Sequence, residues 1–231
     1  MTANERLFWA FSGFVFFFYF LLFRPVFVFA LFVSSIFSSK IRKRIKLERE
    51  FVIWDHSNTK QAVCAFHVSS QGELEQTFPL IRKVLEQNDK NIVEIIFTSE
   101  SVKSNLMALS KDYPNRLRIL PLPLLSLNPF VPFTLKNKIT AKKLFMCRYD
   151  FFPELLFQRF FKKLILINAR VAGKNGFYFQ VLRFFHGIIA STPSCGDIIR
   201  KNGRKVIEIA DFRAMRISER QRLFICEDRF P

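Results

Sequence analysis

Glycine is scarce in this chain, seven in 231 residues, and that scarcity removes whole classes of function. Neither G-x-G-x-x-G nor G-x-x-x-x-G-K-[ST] occurs, so the backbone loops that cradle dinucleotides or nucleoside triphosphates have no support. H-E-x-x-H and G-x-S-x-G are also absent, which leaves zinc-peptidase and α/β-hydrolase chemistry without a signature. The four cysteines, Cys64, Cys147, Cys195 and Cys226, are scattered, with no C-x-x-C. With only three histidines they offer no clustered ligand set. Free thiols in a cytosolic domain are expected, with no metal, no cofactor and no disulfide framework.

Acidic residues are the other shortage. Lys and Arg outnumber Asp and Glu by 36 to 19, a net charge of +17. That excess points to an anionic partner: nucleic acid, anionic lipid or a phosphorylated substrate. No nucleic-acid module signature accompanies it, so nucleic acid is not the expected partner.

What is abundant is phenylalanine, with 31 residues, many of them near the N-terminus. From Leu7 to Phe37 the chain is almost wholly apolar, broken by Arg24-Pro25. Three arrangements compete. A single tilted span would leave Arg24 snorkelling at an interface. A helix pair bent at Pro25 would dip into one leaflet. A cleaved signal peptide fits poorly, because the apolar region is too long and lacks an A-x-A-like site. The basic cluster Lys40, Arg42, Lys43, Arg44 and Lys46 follows at once. It predicts a cytoplasmic location for everything after residue 40 and contact with anionic headgroups.

Beyond the cluster, strand-like and helical stretches alternate. Strands are expected at 62–68, 92–98, 117–121, 144–147, 164–168, 187–191 and 205–209. Helices are expected at 73–87, 102–112 and about 152–161, and from about Phe177 and Ser194. This order predicts an α/β fold, a parallel sheet covered on both faces. The segment 121–129 reads as a Pro-rich loop, and the stretch after Asp211 as a linker.

The junction Phe66-His67-Val68-Ser69-Ser70-Gln71-Gly72-Glu73 is the most informative. It places a carboxylate at the carboxyl edge of a strand and at a helix N-terminus, where α/β proteins keep their chemistry. Ser70-x-x-Glu73 is equally a capping box. From spacing alone, the cap is favoured over the base.

Four segments, in order, resemble one family, the 3-deoxy-D-manno-octulosonic acid (Kdo) transferases of lipid A biosynthesis. Ala65 to Glu73 is similar to the family's W-h-H-A-x-S-x-G-E (h apolar), with His67, Ser70, Gly72 and Glu73 matching, and Pro79-Leu80-Ile81 follows as its P-L-h. Met146 to Leu155 is similar to M-E-T-E-L-W-P-N-L, with Asp150 in the place of the second glutamate. Ile167-Asn168-Ala169-Arg170-Val171-Ala172 is similar to V-N-A-R-L-S. Ile189 to Ile198 is similar to the segment ending A-Q-S-x-x-D-A. Arg148 departs from the pattern by reversing the charge of the first glutamate, and Thr98-Ser-Glu-Ser stands for a longer threonine-rich run.

The resemblance implies a membrane anchor at 1–39, a basic juxtamembrane segment at 40–60, a Rossmann-like acceptor-side domain at 61–212 and a tail at 213–231. That is the N-terminal half of a GT-B glycosyltransferase. It implies Glu73 as general base, with Ser70, Gly72, Asp150, Asn168 and Arg170 binding substrate. The donor would be CMP-Kdo, the acceptor a lipid A precursor, and the site the inner membrane's cytoplasmic face, with inversion and no obligatory metal. The family's donor-binding domain lies beyond this sequence. A separate donor-domain chain, or a non-catalytic remnant or partner subunit, is the rival reading. His67 is expected to be a packed strand residue, and Gly72 to permit a close turn.

Overall fold

The computed structural model describes residues 3–50, 60–126, 128, 130–148, 151–171 and 176–218. Helix α1 (Ala3–Phe18) runs through a π-turn at Tyr19–Phe23 into α2 (Arg24–Ser34), forming a single 32-residue helix. The pair bent at Pro25 is therefore not what forms. Proline lacks an N–H and its ring collides with the carbonyl four residues back. The wider turn, with the Arg24 N–H bonded to the Tyr19 carbonyl five residues earlier, makes room without a break. By length and composition this helix is apolar enough to cross a bilayer.

Its buried stripe is narrow: Ser12, Phe16, Phe20, Arg24 and Val28 recur every fourth residue. Phe16 stacks edge-on against Phe157, Phe160 and Phe184, and Trp9 against Phe160 and Phe184. Leu7, Phe11, Phe14, Val26 and Phe29 stay largely exposed. Helix α3 (Ser39–Glu50) carries the basic cluster.

Arg24 does not snorkel. It is 1% exposed and makes five hydrogen bonds to described residues. Its Nε donates to Glu154 at 2.9 Å, and its two Nη atoms donate to the carbonyls of Pro123, Leu124, Ser126 and Asn128. A guanidinium has five N–H donors, and burial without partners for them would be prohibitive. The carbonyls of Pro123, Leu124, Ser126 and Asn128 surround that group.

The remaining elements alternate, all but α6 where the pattern predicts them: β1 (Cys64–Val68), α4 (Gln71–Gln87), β2 (Val93–Phe97), α5 (Lys103–Asp112), β3 (Leu117–Pro121), α6 (Val131–Lys138), β4 (Lys143–Cys147), α7 (Pro153–Leu156), β5 (Lys163–Ala169), α8 (Gly176–Val181), β6 (Gly187–Ala190), α9 (Pro193–Lys201) and β7 (Val206–Ile209). They form a seven-stranded, all-parallel, Rossmann-like sheet in the order β3-β2-β1-β4-β5-β6-β7. Its central strands are buried on both faces, the reason they read as continuous apolar runs. One core holds Phe66, Ile95 and Ile119 against α4 and α5; the other holds Ala65, Ile96 and Leu166 against α6 to α8 and the N-terminal helix.

Helix α6 falls on residues just beyond the expected Pro-rich loop, where the sequence pattern assigns no element. Pro132 sits in the first turn, where a missing N–H costs nothing. Residues 212–218, read from sequence as linker, are helical, with Phe212 buried and Arg216 bonded to Glu75 at 2.8 Å. Cys226 lies outside the described residues.

Among the described residues the most buried carboxylate is structural. Glu94, fully buried, accepts from Arg118, from the Thr140 N–H and hydroxyl, and from the Ala141 N–H.

Removing Arg24 tests whether the helix is fastened as described. Arg24→Ala leaves the Glu154 carboxylate buried without its cation, a loss of roughly 3–5 kcal/mol. Denaturation in mild detergent should register that loss, while Arg42→Ala, at an exposed position, should cost under about 1 kcal/mol. Equal effects of the two changes would show that Arg24 fastens nothing.

Candidate active site at the carboxyl edge of the sheet

The strand order reverses between β1 and β4. Such a switch point opens a crevice at the carboxyl ends of the strands, because the loops leaving the two neighbours diverge to opposite faces. Glu73 follows β1 there and Arg148 follows β4.

Ser70 is the N-cap of α4: its hydroxyl accepts from the Glu73 N–H at 3.3 Å. The Glu73 carboxylate turns back on the loop, where Oε2 accepts from the Ser69 N–H at 2.7 Å and the Ser69 hydroxyl at 2.8 Å. The side chain is 7% exposed. Capping therefore occurs, and the same bonds fix the carboxylate in one orientation at the edge. Gly72 is exposed with an ordinary helical backbone, and a Cβ there would meet nothing within 4 Å. The close turn expected of it is absent; what it provides is open space beside Glu73.

Asn168, at the end of β5, is fully buried and left-handed, with φ of 56°. Asparagine tolerates that conformation better than most residues. Its Nδ2 donates to Gln76 Oε1 of α4, an oxygen that also faces the Cys147 thiol. Asn168 Oδ1 has no partner among the described residues. Arg148 is left-handed too, with φ of 57°. It is half-buried, and its Nε lacks a partner among the described residues. Arg170 is half-buried just beyond β5. Ser191 and Thr192 continue the edge, the latter capping α9.

The structure thus brings Ser70, Gly72, Glu73, Asn168 and Arg170 to one edge of the sheet. Asp150 lies outside the described residues. Sequence reasoning missed Ser69 and Gln76. Gln76 was legible in principle, since it lies three residues after Glu73 on the same helical face.

The basic cluster divides. Lys40, Arg42, Lys43 and Lys46 are exposed, though Arg42 also bonds the Ser35 and Ile36 carbonyls that end α2. Arg44 turns inward, pairing with Glu48 at 2.7 Å and donating to the Leu122 carbonyl. It lines a cleft of about 300 Å³, with Phe27, Thr98, Phe152 and Glu154, between α2 and the carboxyl edge. Among the described residues no three of His, Cys, Asp and Glu cluster as metal ligands.

The profile of the 3-deoxy-D-manno-octulosonic-acid transferases (kdotransferases) matches residues 40–199, more than half of the chain. The chain belongs to the Kdo transferase family. No curated protein matches. Among solved structures, a protein assigned as a UDP-N-acetylglucosamine 2-epimerase from Listeria monocytogenes is similar at 9% identity and a TM-score of 0.46, over 64% of this chain and 43% of that one. This Kdo transferase chain thus spans less than half the length of that structure.

His67 is a packing residue, as its place in the strand predicts. It is fully buried edge-on to Phe152, 5.4 Å between ring centres, and neither ring nitrogen has a partner among the described residues. Burial, reinforced by the Arg44 charge, pushes its pKa from 6.5 down to about 3.

The unfolded chain therefore takes up a proton that the folded chain refuses. Stability should be full above about pH 6.5 and fall as pH drops toward 3. The share from His67 is roughly 2 kcal/mol at pH 5. His186, pushed by burial to about 4, adds a parallel loss. Comparing urea midpoints at pH 7 and pH 5 isolates the first term: His67→Leu should lose clearly less than the parent chain. An equal loss in both proteins would refute the assignment.

Proposed function

We propose that this chain is the acceptor-side half of a glycosyltransferase that moves Kdo from CMP-Kdo to a lipid A precursor. The observation that carries the reading is the fixed carboxylate of Glu73 at the switch-point edge of a chain whose family is Kdo transferase. The division into anchor (1–39), basic segment (40–60), Rossmann-like acceptor-side domain (61–212) and tail (213–231) belongs to the same proposal.

In the reaction so envisaged, an acceptor hydroxyl attacks the anomeric carbon of Kdo as Glu73 takes its proton. The new C–O bond forms as the bond to the CMP phosphate breaks, and CMP leaves with inversion. The Ser69 N–H and hydroxyl hold the carboxylate in place, so little reorganisation is needed in the transition state. The guanidinium groups of Arg148 and Arg170 offer two cations to the sugar and phosphate groups, and Asn168, fully buried, takes its part in the proposed binding set by holding that edge in place through Gln76. Asp150 and Ser70 complete the proposed binding set.

A second reading is favoured by Arg148. Where the family pattern has glutamate, a cation changes the site's charge, as expected for a non-catalytic remnant or a subunit that works with a separate donor-domain chain.

The proposed location is the inner membrane, with the domain on its cytoplasmic side and anionic lipid beneath Lys40, Arg42, Lys43 and Lys46; the apolar helix and the exposed cations of α3 support it. Protease added to intact spheroplasts should leave the domain whole and digest it only after lysis. Digestion of the domain before lysis would reverse this orientation.

Glu73→Gln separates cap from base. Glutamine keeps an acceptor for Ser69, so thermal stability should change by less than about 1 kcal/mol. Transfer, assayed with a donor-binding domain supplied as a second chain or by fusion, should fall at least about 100-fold. Activity at the parental level would overturn the base assignment. Absence of transfer in the parental reconstitution, with every candidate donor domain, would favour the non-catalytic reading.

A further inference from the structure

An apolar groove of about 520 Å³ separates the N-terminal helix from the domain, well away from the edge that carries Glu73. Gly13, Phe17 and Leu21 form one wall, and Phe133, Phe157 and Phe161 are among those forming the other. The groove runs from Phe130, at the start of α6, to Phe160 and Phe161, beside the amino end of β5. Its floor is open because residue 13 is glycine, where a Cβ would meet nothing within 4 Å. Phe130, Phe133, Phe160 and Phe161 remain 38–63% exposed along its rim. So large an apolar surface in one place marks a binding site rather than ordinary exterior.

The rim is cationic. Lys136 Nζ stands 4.7 Å from the centre of the ring of Phe161, one of the lining residues. No acidic side chain lines the groove. We propose that it holds one acyl chain of an anionic glycerophospholipid, with the headgroup phosphate at Lys136. Three features select this occupant. The walls are hydrocarbon and aromatic with no polar side chain to satisfy, so they suit an alkyl chain rather than a sugar or peptide. The groove is continuous with the exposed apolar face of the helix, so a chain enters it sideways from a bilayer. Lys136 sits near the end of α6, just before the amino end of β4 and so opposite Glu73, which separates this lipid from an acceptor positioned for chemistry. A lipid wedged here would complete the packing between helix and domain.

The full-length chain, reconstituted in vesicles of equal phosphatidylglycerol and phosphatidylcholine and extracted in mild detergent, provides the test by native mass spectrometry. One phosphatidylglycerol per chain should survive extraction. Gly13→Leu fills the floor while improving helix propensity, and it should cut the occupancy at least tenfold with vesicle binding unchanged. Lys136→Glu should keep an acyl lipid but lose the preference for phosphatidylglycerol. Full occupancy in Gly13→Leu, no retained lipid in the parental chain, or an unchanged preference in Lys136→Glu would each overturn the proposal. None of these readouts depends on transfer activity, so they stand apart from the functional reading above.

Discussion

The buried guanidinium of Arg24 is the constraint around which the two parts of this molecule are arranged. An arginine in the middle of an apolar helix cannot be left in hydrocarbon or in a protein core without partners. Here its partners are Glu154 and four carbonyls of the loop between β3 and α6. That requirement sets the azimuth of the helix, so Phe16 and Phe20 face the domain core and Phe11, Phe14 and Phe29 face away. It also orders an otherwise irregular, proline-rich loop by giving its carbonyls a common donor. Because Glu154 opens α7 at the carboxyl edge, the ion pair brings the helix beside the crevice at the strand switch point. The result places an apolar surface next to a site that faces water.

Much of this was legible in the sequence because the sheet is buried on both sides. A continuous apolar run such as Leu164 to Ile167 has few alternatives to a central strand, and the alternation with amphipathic helices then forces parallel pairing. The edge position of Glu73 follows from the same logic. What was not legible depended on long-range partners. Arg24 reads as a snorkelling residue unless Glu154, 130 positions away, is known to lie beside it. Pro25 reads as a bend, because nothing local announces that a π-turn will absorb it. The basic cluster reads as uniform, yet Arg44 turns inward because Glu48 and the Leu122 carbonyl are there to receive it.

The family match and the bottom-up reading meet at the β1–α4 junction but rest on different grounds. The spacing Ser70 to Glu73 required only a helix cap, and the structure contains one. What the junction has besides a cap, and what the proposed role rests on, is its surroundings. The strand order reverses beside it, Gly72 leaves space open next to it, and the strained Asn168 backbone lies two strands away, on β5. Strain of that kind persists only where packing over-determines it, and it concentrates at sites that bind. Asn168 is held by Gln76 from the helix that carries Glu73, so the two sides of the edge are mechanically joined.

Cap and base are therefore not exclusive roles for Glu73. A general base must be presented in a defined direction, and a capping carboxylate is already fixed by the loop it caps. The Ser69 donors occupy Oε2 from the loop side. The contrast with Glu94 makes the point: there both oxygens are engaged by strand-end amides, a hydroxyl and a guanidinium, and the group is fully buried. Both carboxylates are buried polar groups satisfied by backbone amides. They differ in where they stand: Glu94 accepts amides from the loop entering β4 at the amino ends of the strands, Glu73 sits where the loops part. In a parallel α/β sheet that difference in edge separates a carboxylate that holds the fold together from one able to meet a substrate.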